Sequence, residues 1–222
     1  MVEPRERAGV ENGGEADNPF AGAGGETRDD LRRAKRMAVL LTGARMFNER
    51  GYDRTTLDAI AAELEVSKRT LYYYIKNKDD ILFQCNTMAY EFLQPTLEVC
   101  ADASLPPLDR IRTLMRAYAQ VLSQDFGACL VLIQESVLTR ESFAVLREIR
   151  RRMDMTLRGL IEAGIADGSI APCEPKLASA ALFGSFNWLP HWRSAAKVPA
   201  YEAVGDAFLD LFFRGLRTEA ER

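Results

Sequence analysis

The sequence predicts an all-α protein, with an N-terminal three-helix helix-turn-helix domain and a larger C-terminal helical domain. Apolar residues recur at intervals of three and four from Leu31 almost to the end of the chain, and the alternating pattern of β-strands is absent. A chain of 222 residues that is 47% hydrophobic and 27% charged can bury a sizeable core and has the composition of a globular protein. The predicted boundaries are 1–27, 28–78 and 79–222.

Residues 1–27 are rich in glycine and acidic residues and contain one aromatic residue, Phe20. Such a segment cannot bury enough apolar surface to offset its ordering entropy, so it is predicted to be disordered. A basic cluster follows, consisting of Arg28, Arg32, Arg33, Lys35 and Arg36. Two interpretations of this cluster stay open, a solvated helix face or an arm that contacts nucleic-acid phosphates or a minor groove.

The first helix is predicted from about Leu31 to Arg50, where Gly51 can take the left-handed conformation that ends helices. Thr55 or Thr56 can cap a second helix, and Thr55 has capping-box spacing to Asp58. Ile60 and Leu64 give this second helix an inner face.

A third helix of about two turns is predicted after Ser67, which can cap it, with Leu71 and Ile75 pointing to the core. Further helices are predicted at about 79–102, 108–123, 127–139, 141–166, 175–193 and 200–217. The predicted breaks between them are Pro106-Pro107, Gly127, Asp167-Gly168, Pro172, Pro175 and Pro199.

The short helix after Ser67 carries most of the functional information. Only Leu71 and Ile75 have inward spacing, so its basic, polar and aromatic side chains are expected at its exposed side and ends. Tyrosine rings suit sugars and thymine methyl groups, their hydroxyls suit phosphates, and cations near the helix N-terminus reach base edges. The predicted DNA-contacting residues are Thr56, Ser67, Lys68, Arg69, Thr70, Tyr72, Tyr73, Tyr74, Lys76 and Lys78.

Three motifs in this region, G-Y-x-x-T-T-L-x-x-I-A, L-x-V-S-x-x-T-L-Y-Y-Y and K-N-K-x-D-I-L, resemble the DNA-binding domain of the TetR family of bacterial transcriptional regulators over residues 31–82. The resemblance implies that Lys68 and Arg69 reach bases and that Tyr73 stacks against the backbone and bases. It implies phosphate contacts for Thr56, Thr70, Tyr74 and Lys78, and either role for Tyr72.

One residue departs from the family pattern. Glu65 stands in the turn where the family usually has glycine. If that backbone is left-handed, a glutamate costs about 1 kcal/mol there.

The two C-terminal helices are apolar on more than one side, which indicates burial against a second subunit as well as within the chain. The resemblance implies that they pair across a two-fold axis as a four-helix bundle. A dimer of this kind presents two recognition helices to half-sites about 34–36 Å apart or a multiple of that. The expected interface residues are Ala181, Gly184, Ser185, Trp192, Phe208, Leu211 and Phe212.

The segments GIADGSIAP, LFGSFNWLPHW and FRGL are similar to a subset of these regulators that respond to acyl-CoA thioesters or other lipid-derived effectors. The candidate effector-binding residues, for which ordinary core packing is the alternative, are Met88, Phe92, Leu114, Tyr118, Ile133, Met153, Leu157, Phe186 and Trp188. Arginines that could meet coenzyme A phosphates are Arg147, Arg150, Arg151, Arg152 and Arg158. A solvated face is the favoured interpretation of most of them.

The remaining composition bounds the function further. Residues 28–80 carry a net charge of +3 and the rest of the chain −6, which fits a DNA-contacting head on an acidic body. The four cysteines lack metal-site spacing and are interpreted as buried apolar residues, with a redox-sensing thiol as the alternative. His191 is expected at an interface rather than in catalysis. No cofactor, metal site, secretory signal or membrane span is expected, so the predicted location is the cytoplasm.

These features predict a homodimeric repressor that binds double-stranded operator DNA and releases it when a small hydrophobic effector, such as an acyl-CoA, fills the body. The first alternative is an effector-independent DNA-binding dimer or an activator. An enzyme is the remote alternative, since the sequence offers no nucleophile–base pair, carboxylate dyad or metal spacing.

Overall fold

A computed structural model describes residues 27–192 and 201–216 of the chain. Within these ranges the elements are nine α-helices and two short 3₁₀ helices, which confirms the all-α expectation. The segment predicted to be disordered lies outside the described residues except for Thr27, and so does the predicted break at Pro199.

The helices follow the predicted order. Their bounds are α1 Arg28–Arg50, α2 Leu57–Glu63, α3 Lys68–Tyr74, α4 Lys78–Ala101, α5 Pro107–Ser123, α6 Asp125–Leu132, α7 Arg140–Ala166, α8 Pro175–Asn187 and α9 Tyr201–Leu216. The 3₁₀ helices are Glu135–Val137, between α6 and α7, and Leu189–Trp192, after α8.

Local chemistry explains most helix starts. The side chains of Thr27, Ser67, Asn77 and Thr139 accept hydrogen bonds from first-turn backbone N–H groups of α1, α3, α4 and α7. Prolines occupy the first position of α5 and α8, where their missing N–H costs nothing. At the end of α1, Gly51 has φ +89°, which a residue with a side chain rarely adopts.

The residue that caps α2 is Thr56, whose hydroxyl accepts from Ala59 N at 3.1 Å. The predicted capping box between Thr55 and Asp58 is therefore wrong. Thr55 is instead buried, and its hydroxyl donates to the carbonyl oxygens of Met46 at 3.1 Å and Gly51 at 2.9 Å. Thr55 thus ties the α1–α2 loop to the end of α1.

Two predicted helices are divided differently in the structure. The predicted helix 127–139 begins earlier, at Asp125, and ends at Leu132 before a 3₁₀ turn. Gly127 is not a break but lies inside α6, where an added Cβ would come within 1.8 Å of the Val121 carbonyl oxygen. Similarly, the predicted helix 175–193 ends at Asn187 and continues as a 3₁₀ turn.

α4 is central to the packing. It contacts α1 on the side of the helix-turn-helix, and α5, α6 and α7 on the side of the body. Its buried residues include Ile81 and Cys85 near its start and Ala89 and Leu93 further along. One continuous hydrophobic cluster therefore runs from the helix-turn-helix into the body.

The α2–α3 turn has the left-handed backbone expected if Glu65 replaces glycine. Glu65 has φ +55° and is exposed. Its N–H donates to Ala62 O at 3.1 Å, while Val66 N–H donates to Ala61 O at 2.9 Å. These two bonds form a Schellman motif, which normally ends in glycine. The turn keeps its hydrogen bonds although its left-handed residue is a glutamate.

Replacing Glu65 by glycine should raise the free energy of unfolding by up to about 1 kcal/mol, because relief of left-handed strain outweighs the added unfolded-state entropy. Ala62→Gly, in the exposed face of α2, is the matched control and should lower it by roughly 0.5–1 kcal/mol. Urea denaturation of both variants measures the difference. A loss of stability in Glu65→Gly equal to that in Ala62→Gly would contradict a strained turn.

Candidate functional site

The orientation of α3 is fixed by two buried residues, one within the helix and one directly after its end. Leu71 and Ile75 are fully or almost fully buried, at 0% and 2% exposure. At its start, the Ser67 hydroxyl accepts from Thr70 N at 3.1 Å and lies 2.8 Å from the Thr70 hydroxyl. A helix of seven residues has one inward face, so anchoring these two residues turns the opposite face to solvent.

The outward face of α3 carries cations and phenol rings. Lys68 and Arg69 are exposed, and Tyr72 and Tyr73 are 49% and 63% exposed. Tyrosine joins a large apolar ring to a polar tip, a combination typical of contact surfaces. This face can therefore stack, donate hydrogen bonds and neutralise negative charge.

Tyr74 differs from its two neighbours. It is half-buried, packs against the hydrophobic core, and meets the Tyr73 ring edge-to-face with ring centroids 5.0 Å apart. The expectation that all three tyrosines lie on the exposed face is corrected at this position. The spacing of Tyr74 from Leu71 turns part of its ring inward.

Two charged residues from other helices reach this face. Asp58 of α2 lies 2.8 Å from the Lys68 ammonium, and the hydrogen bond between them raises the pKa of Lys68. The Arg32 guanidinium of α1 lies over the Tyr73 ring, 5.3 Å from its centroid. The basic cluster at the start of α1 therefore adjoins the outward face of α3.

The predicted phosphate-binding residues around α3 have different surroundings. Thr56 and Lys76 are exposed, and the Thr56 hydroxyl also caps α2. Lys78 is half-buried, its ammonium donates to Tyr52 O at 2.7 Å, and it lies 4.3 Å from the Tyr52 ring centroid. A phosphate bound by Lys78 would share the ammonium with the backbone carbonyl of Tyr52, which lies in the loop between α1 and α2.

The start of α4 is tied to the start of α7. The Asp79 carboxylate accepts hydrogen bonds from Thr139 N and the Ser142 hydroxyl, both at 2.8 Å. α6 makes a second connection, since Asn48 Nδ2 of α1 donates to Asp125 O at 2.9 Å. The first contact ties the start of α4, directly after the helix-turn-helix, to α7, and the second joins α1 to α6.

The body contains a cavity of about 510 Å³ between α5, α6, α7 and α8, within the range typical of small-molecule sites. The apolar part of its lining consists of Leu130, Val131, Ile133, Met153 and Phe183. The polar part consists of Tyr118, Gln134, Arg150, Asp154 and Asn187. The cavity can hold a molecule with an apolar skeleton and at least one polar group.

Several polar groups of the lining are held in place by hydrogen bonds and an ion pair. The Tyr118 hydroxyl donates to Asn187 Oδ1 at 2.6 Å, and burial raises its pKa. Asp154 accepts from the Ser179 hydroxyl at 2.7 Å and forms an ion pair with Arg158. Burial lowers the pKa of Arg150.

A smaller chamber of about 20 Å³, roughly the space that one water molecule needs, adjoins this cavity and shares Tyr118, Leu130, Arg150 and Met153 with it. Asn86 also lines this chamber. It is 3% exposed, and its Oδ1 has no hydrogen-bond partner among the described residues. The chamber therefore borders an unsatisfied buried acceptor.

The structure brings three predicted effector-binding residues, Tyr118, Ile133 and Met153, into the cavity. Leu114, Leu157 and Phe186 are instead fully buried in the core. The other three predicted residues also lie elsewhere: Phe92 and Trp188 are exposed, and Met88 lines a groove between α1 and α4.

Arg150 was predicted only as a possible contact for coenzyme A phosphates, with a solvated face favoured for most of its group, and the structure places it on the cavity lining. The expectation of a solvated face holds for Arg147, Arg151 and Arg152, which are exposed, whereas Arg150 and Arg158 are half-buried. Arg150 follows Leu146 by four residues and precedes Met153 by three, and this inward spacing could have identified it.

The predicted interface residues divide into two groups. Ala181, Gly184, Ser185 and Leu211 are exposed, and Leu211 reaches 72% exposure. Trp192, Phe208 and Phe212 are half-buried and pack against the protomer's own core. Leu177 and Trp188 extend the exposed apolar surface of α8, at 68% and 55% exposure.

The cysteines have the surroundings of core residues rather than of reactive thiols. Cys85, Cys100 and Cys129 are buried and Cys173 is half-buried. Burial raises the pKa of the Cys85 thiol to about 12, so it is not a thiolate at neutral pH. His191 is exposed and stacks on Trp188, with ring centroids 4.6 Å apart.

Two kinds of feature are absent from the described part of the chain. No group of three or more His, Cys, Asp or Glu side chains in residues 27–192 and 201–216 is arranged to hold a metal ion. Over the same ranges, no helix combines the length and apolarity needed to cross a bilayer.

Comparison with known proteins agrees with this architecture. The Fatty acid metabolism regulator protein of Bacillus subtilis is 22% identical over 194 residues, covering 85% of this chain and 98% of that protein. The structure of PfmR, a TetR family transcriptional regulator from Thermus thermophilus, has a TM-score of 0.72 and 26% identity, covering 81% of this chain and 99% of that one. The structure of AibR in complex with isovaleryl coenzyme A and operator DNA has a TM-score of 0.71 and 24% identity, with coverage of 80% and 97%.

Two family profiles match the chain. The profile described as bacterial regulatory proteins, tetR family, covers residues 39–85. The profile described as tetracyclin repressor-like, C-terminal domain, covers residues 104–216, about half of the chain. The chain belongs to the TetR family of bacterial helix-turn-helix transcriptional regulators.

Proposed function

We propose that this regulator is a homodimeric repressor that binds double-stranded operator DNA and leaves it when a small hydrophobic effector occupies the cavity. The observation that carries the proposal is the outward face of α3, where Lys68, Arg69, Tyr72 and Tyr73 are exposed on a helix anchored by buried residues. In this proposal, residues 28–78 bind DNA and residues 79–222 bind effector and partner, in the cytoplasm.

The chemistry of α3 suits a major groove. Lys68 and Arg69 lie in its first turn, where recognition helices contact base edges. Tyr72 and Tyr73 supply rings for sugars and thymine methyl groups, while Thr56, Ser67, Thr70, Tyr74, Lys76 and Lys78 surround them with donors for phosphates. Arg32, beside the Tyr73 ring, extends this surface to the start of α1.

The proposal of a second subunit is supported by the exposed apolar faces of α8 and α9. Leu177, Trp188 and Leu211 are more than half exposed, although they are large and apolar. A Cβ added at Gly184 or Gly215 would meet no atom within 4 Å, so each helix has room for the close approach of another. A two-fold pairing of these faces would place two α3 helices on one side of the dimer.

The proposal of a small-molecule effector is supported by the cavity in the body. The cavity favours an effector-controlled repressor over an effector-independent dimer. The relatives give the possible classes, since AibR was crystallised with isovaleryl coenzyme A and the Bacillus subtilis relative is named for fatty acid metabolism. A small apolar acid or its thioester is consistent with a cavity whose lining is half apolar.

Coupling between the two sites would pass through α6 and α7. α6 gives Leu130 and Val131 to the cavity, while Cys129 of the same helix contacts α1 through a weak hydrogen bond from its thiol to Asn48 Oδ1 at 3.3 Å. α7 gives Arg150 and Met153 to the cavity and holds Asp79 of α4 at its own start. An effector that shifts either helix would change the position of the helix-turn-helix.

The double variant Lys68→Ala/Tyr73→Ala should lose operator affinity, because each lost base contact costs about 1–3 kcal/mol. Gel-shift titration on the promoter next to the protein's own gene measures the loss. Arg152→Ala, an exposed charge on α7, is the control and should bind like wild type. A double variant that binds as tightly as wild type would exclude this face as the DNA reader.

Gly184→Leu should leave the protomer folded and prevent dimer formation, since the new side chain meets nothing within the protomer but fills the space between subunits. Gly159→Leu is the matched control, because Gly159 also lies in a helix with nothing within 4 Å of an added Cβ. Light scattering after size exclusion should show a monomer for the first and a dimer for the second. Two dimers, or a monomeric wild type, would overturn the proposed interface.

Asp79→Asn should weaken the coupling between effector and DNA, which is typically about 1–3 kcal/mol, without abolishing either binding event. A thermal-shift screen of acyl-CoAs and fatty acids first identifies a compound that stabilises the wild type. Operator affinity is then measured for each protein with and without that compound. Asp102→Asn is the control, because that carboxylate bonds locally, to Ser104 N at 2.9 Å. Full effector response in Asp79→Asn would show that this connection carries no coupling.

A further inference from the structure

Asn86 of α4 differs from two other polar residues that the structure buries. Thr55 and Ser179 are also buried, and their hydroxyls donate hydrogen bonds to protein acceptors. Asn86 is 3% exposed, and its Nδ2 donates to Leu82 O at 2.8 Å, one turn earlier in the same helix. Its Oδ1 has no hydrogen-bond partner among the described residues. A buried acceptor destabilises the folded protein unless a donor reaches it.

The bond to Leu82 O determines which way the Asn86 amide is turned. A carbonyl oxygen accepts and does not donate, so the nitrogen of the amide has to face Leu82 and the oxygen has to face away from it. Asn86 lines the chamber of about 20 Å³ that adjoins the cavity. The chamber is therefore the space from which a donor can reach the Asn86 oxygen.

The lining of the chamber offers this oxygen no donor. Tyr90, Tyr118 and Arg150 border the chamber, and none of them bonds to Asn86 Oδ1. Tyr118 gives its hydroxyl hydrogen to Asn187 Oδ1 at 2.6 Å. Much of the remaining lining is apolar and includes Ala89, Leu93, Val121, Leu146 and Ile149.

The size and polarity of the chamber select a hydroxyl group as the donor. A space of about 20 Å³ holds a single oxygen atom with its hydrogen. An ammonium group would lose its hydration in these surroundings, and a carboxylate would bring a second acceptor to the Asn86 oxygen. A hydroxyl is neutral, has a suitable size and donates one hydrogen bond.

The chamber and the cavity have common walls, formed by Tyr118, Leu130, Arg150 and Met153. Met153 is unbranched and flexible, so its side chain can move aside for a narrow group. We propose that the effector carries a hydroxyl group at one end, which passes Met153 and donates to Asn86 Oδ1 while the rest of the molecule fills the cavity. This inference rests on the proposed function, because it takes the cavity as the effector site.

The test compares probes that share a skeleton and differ only in the hydroxyl group. Octanol and the terminal fluorooctane form one pair, and naphthol and fluoronaphthalene form a second pair with a rigid ring. Fluorine is close to a hydroxyl in size but donates no hydrogen bond, and the fluorinated probe is the more apolar of each pair. Isothermal titration calorimetry on the full chain should show, on at least one skeleton, about 5- to 100-fold tighter binding of the hydroxyl probe.

Two variants identify the acceptor. Asn86→Leu keeps the branched shape of the side chain and removes the oxygen, and Asn86→Ala removes the oxygen without filling the chamber. Both should bind the hydroxyl probe no more tightly than its fluorinated partner. Leu82 O keeps its backbone partner within α4 in both variants.

Thr87→Val is the matched control. The Thr87 hydroxyl donates to Phe83 O at 3.0 Å, one turn earlier in α4, so this variant also loses a side-chain bond to the preceding turn. Thr87 does not belong to the lining of the chamber or of the cavity. The variant should therefore keep the wild-type preference for the hydroxyl probe. Circular dichroism confirms that each variant is folded.

Three outcomes overturn the inference. Fluorinated probes that bind as tightly as the hydroxyl probes on both skeletons would show that an internal water, rather than the effector, satisfies Asn86. A folded Asn86→Ala that keeps the hydroxyl preference would exclude this acceptor, and failure of all four probes to bind would exclude the cavity as a site for such molecules. Operator binding by the wild type without any compound is measured separately. Its absence would refute the proposed function, whereas operator binding without hydroxyl preference refutes only the role of Asn86.

Discussion

The structure depends on the burial of α4 both against α1 of the helix-turn-helix and against α5, α6 and α7 of the body. Near its start, Ile81 lies so close to α1 that a Cβ at Gly43 would come within 2.9 Å of the Ile81 side chain. Further along, Ala89 and Leu93 belong to the core of the body. Because protein interiors are close-packed, one helix buried in both places transmits a displacement rather than absorbing it. α4 is therefore a single element that is packed both against α1 and against the body.

α6 adds a second constraint on the same pair of sites. It is a helix of eight residues, and its contacts divide between α1, through Cys129 and Asp125, and the cavity, through Leu130 and Val131. Gly127 allows it to lie directly against the last turn of α5. A short helix held closely on both sides has little freedom to shift one face without the other. α6 therefore lies between the cavity and α1.

Much of the helix-turn-helix could be predicted from sequence, because its signals are local. Ser67 was predicted to cap α3, and Leu71 and Ile75 to point inward, from spacing and side-chain chemistry alone, and the structure confirms each. Thr55 and Thr56 could not be distinguished, since both have a capping hydroxyl and only the tertiary contact of Thr55 with Met46 decides between them. Tyr74 was placed outward because periodicity assigns a residue to one face, whereas its ring lies between two.

The cavity could be predicted only in part, for a different physical reason. Helical spacing identifies side chains that face inward, but it does not show where facing helices leave a space. Leu114, Leu157 and Phe186 face inward and fill the core, whereas Tyr118 and Met153 face inward and border the cavity. Arg150 was grouped with its exposed neighbours because the inward stripe of α7 was assigned to apolar residues, although its spacing from Leu146 and Met153 matches that stripe. Which inward residues border a void depends on how the helices pack together.

The pairing of Lys68 with Asp58 at 2.8 Å gives the DNA-binding surface an internal competitor. A DNA acceptor that Lys68 binds would share or compete for the ammonium with this carboxylate, so the net gain is reduced by the attraction that Asp58 already supplies. A single phosphate oxygen offers little more than Asp58 does, while a guanine presents two acceptors to the same ammonium. Random sequence would then gain less from Lys68 than a matching site does. In the proposed DNA complex, Asp58 would lower the gain from non-specific contacts only slightly, because an exposed ion pair is weak.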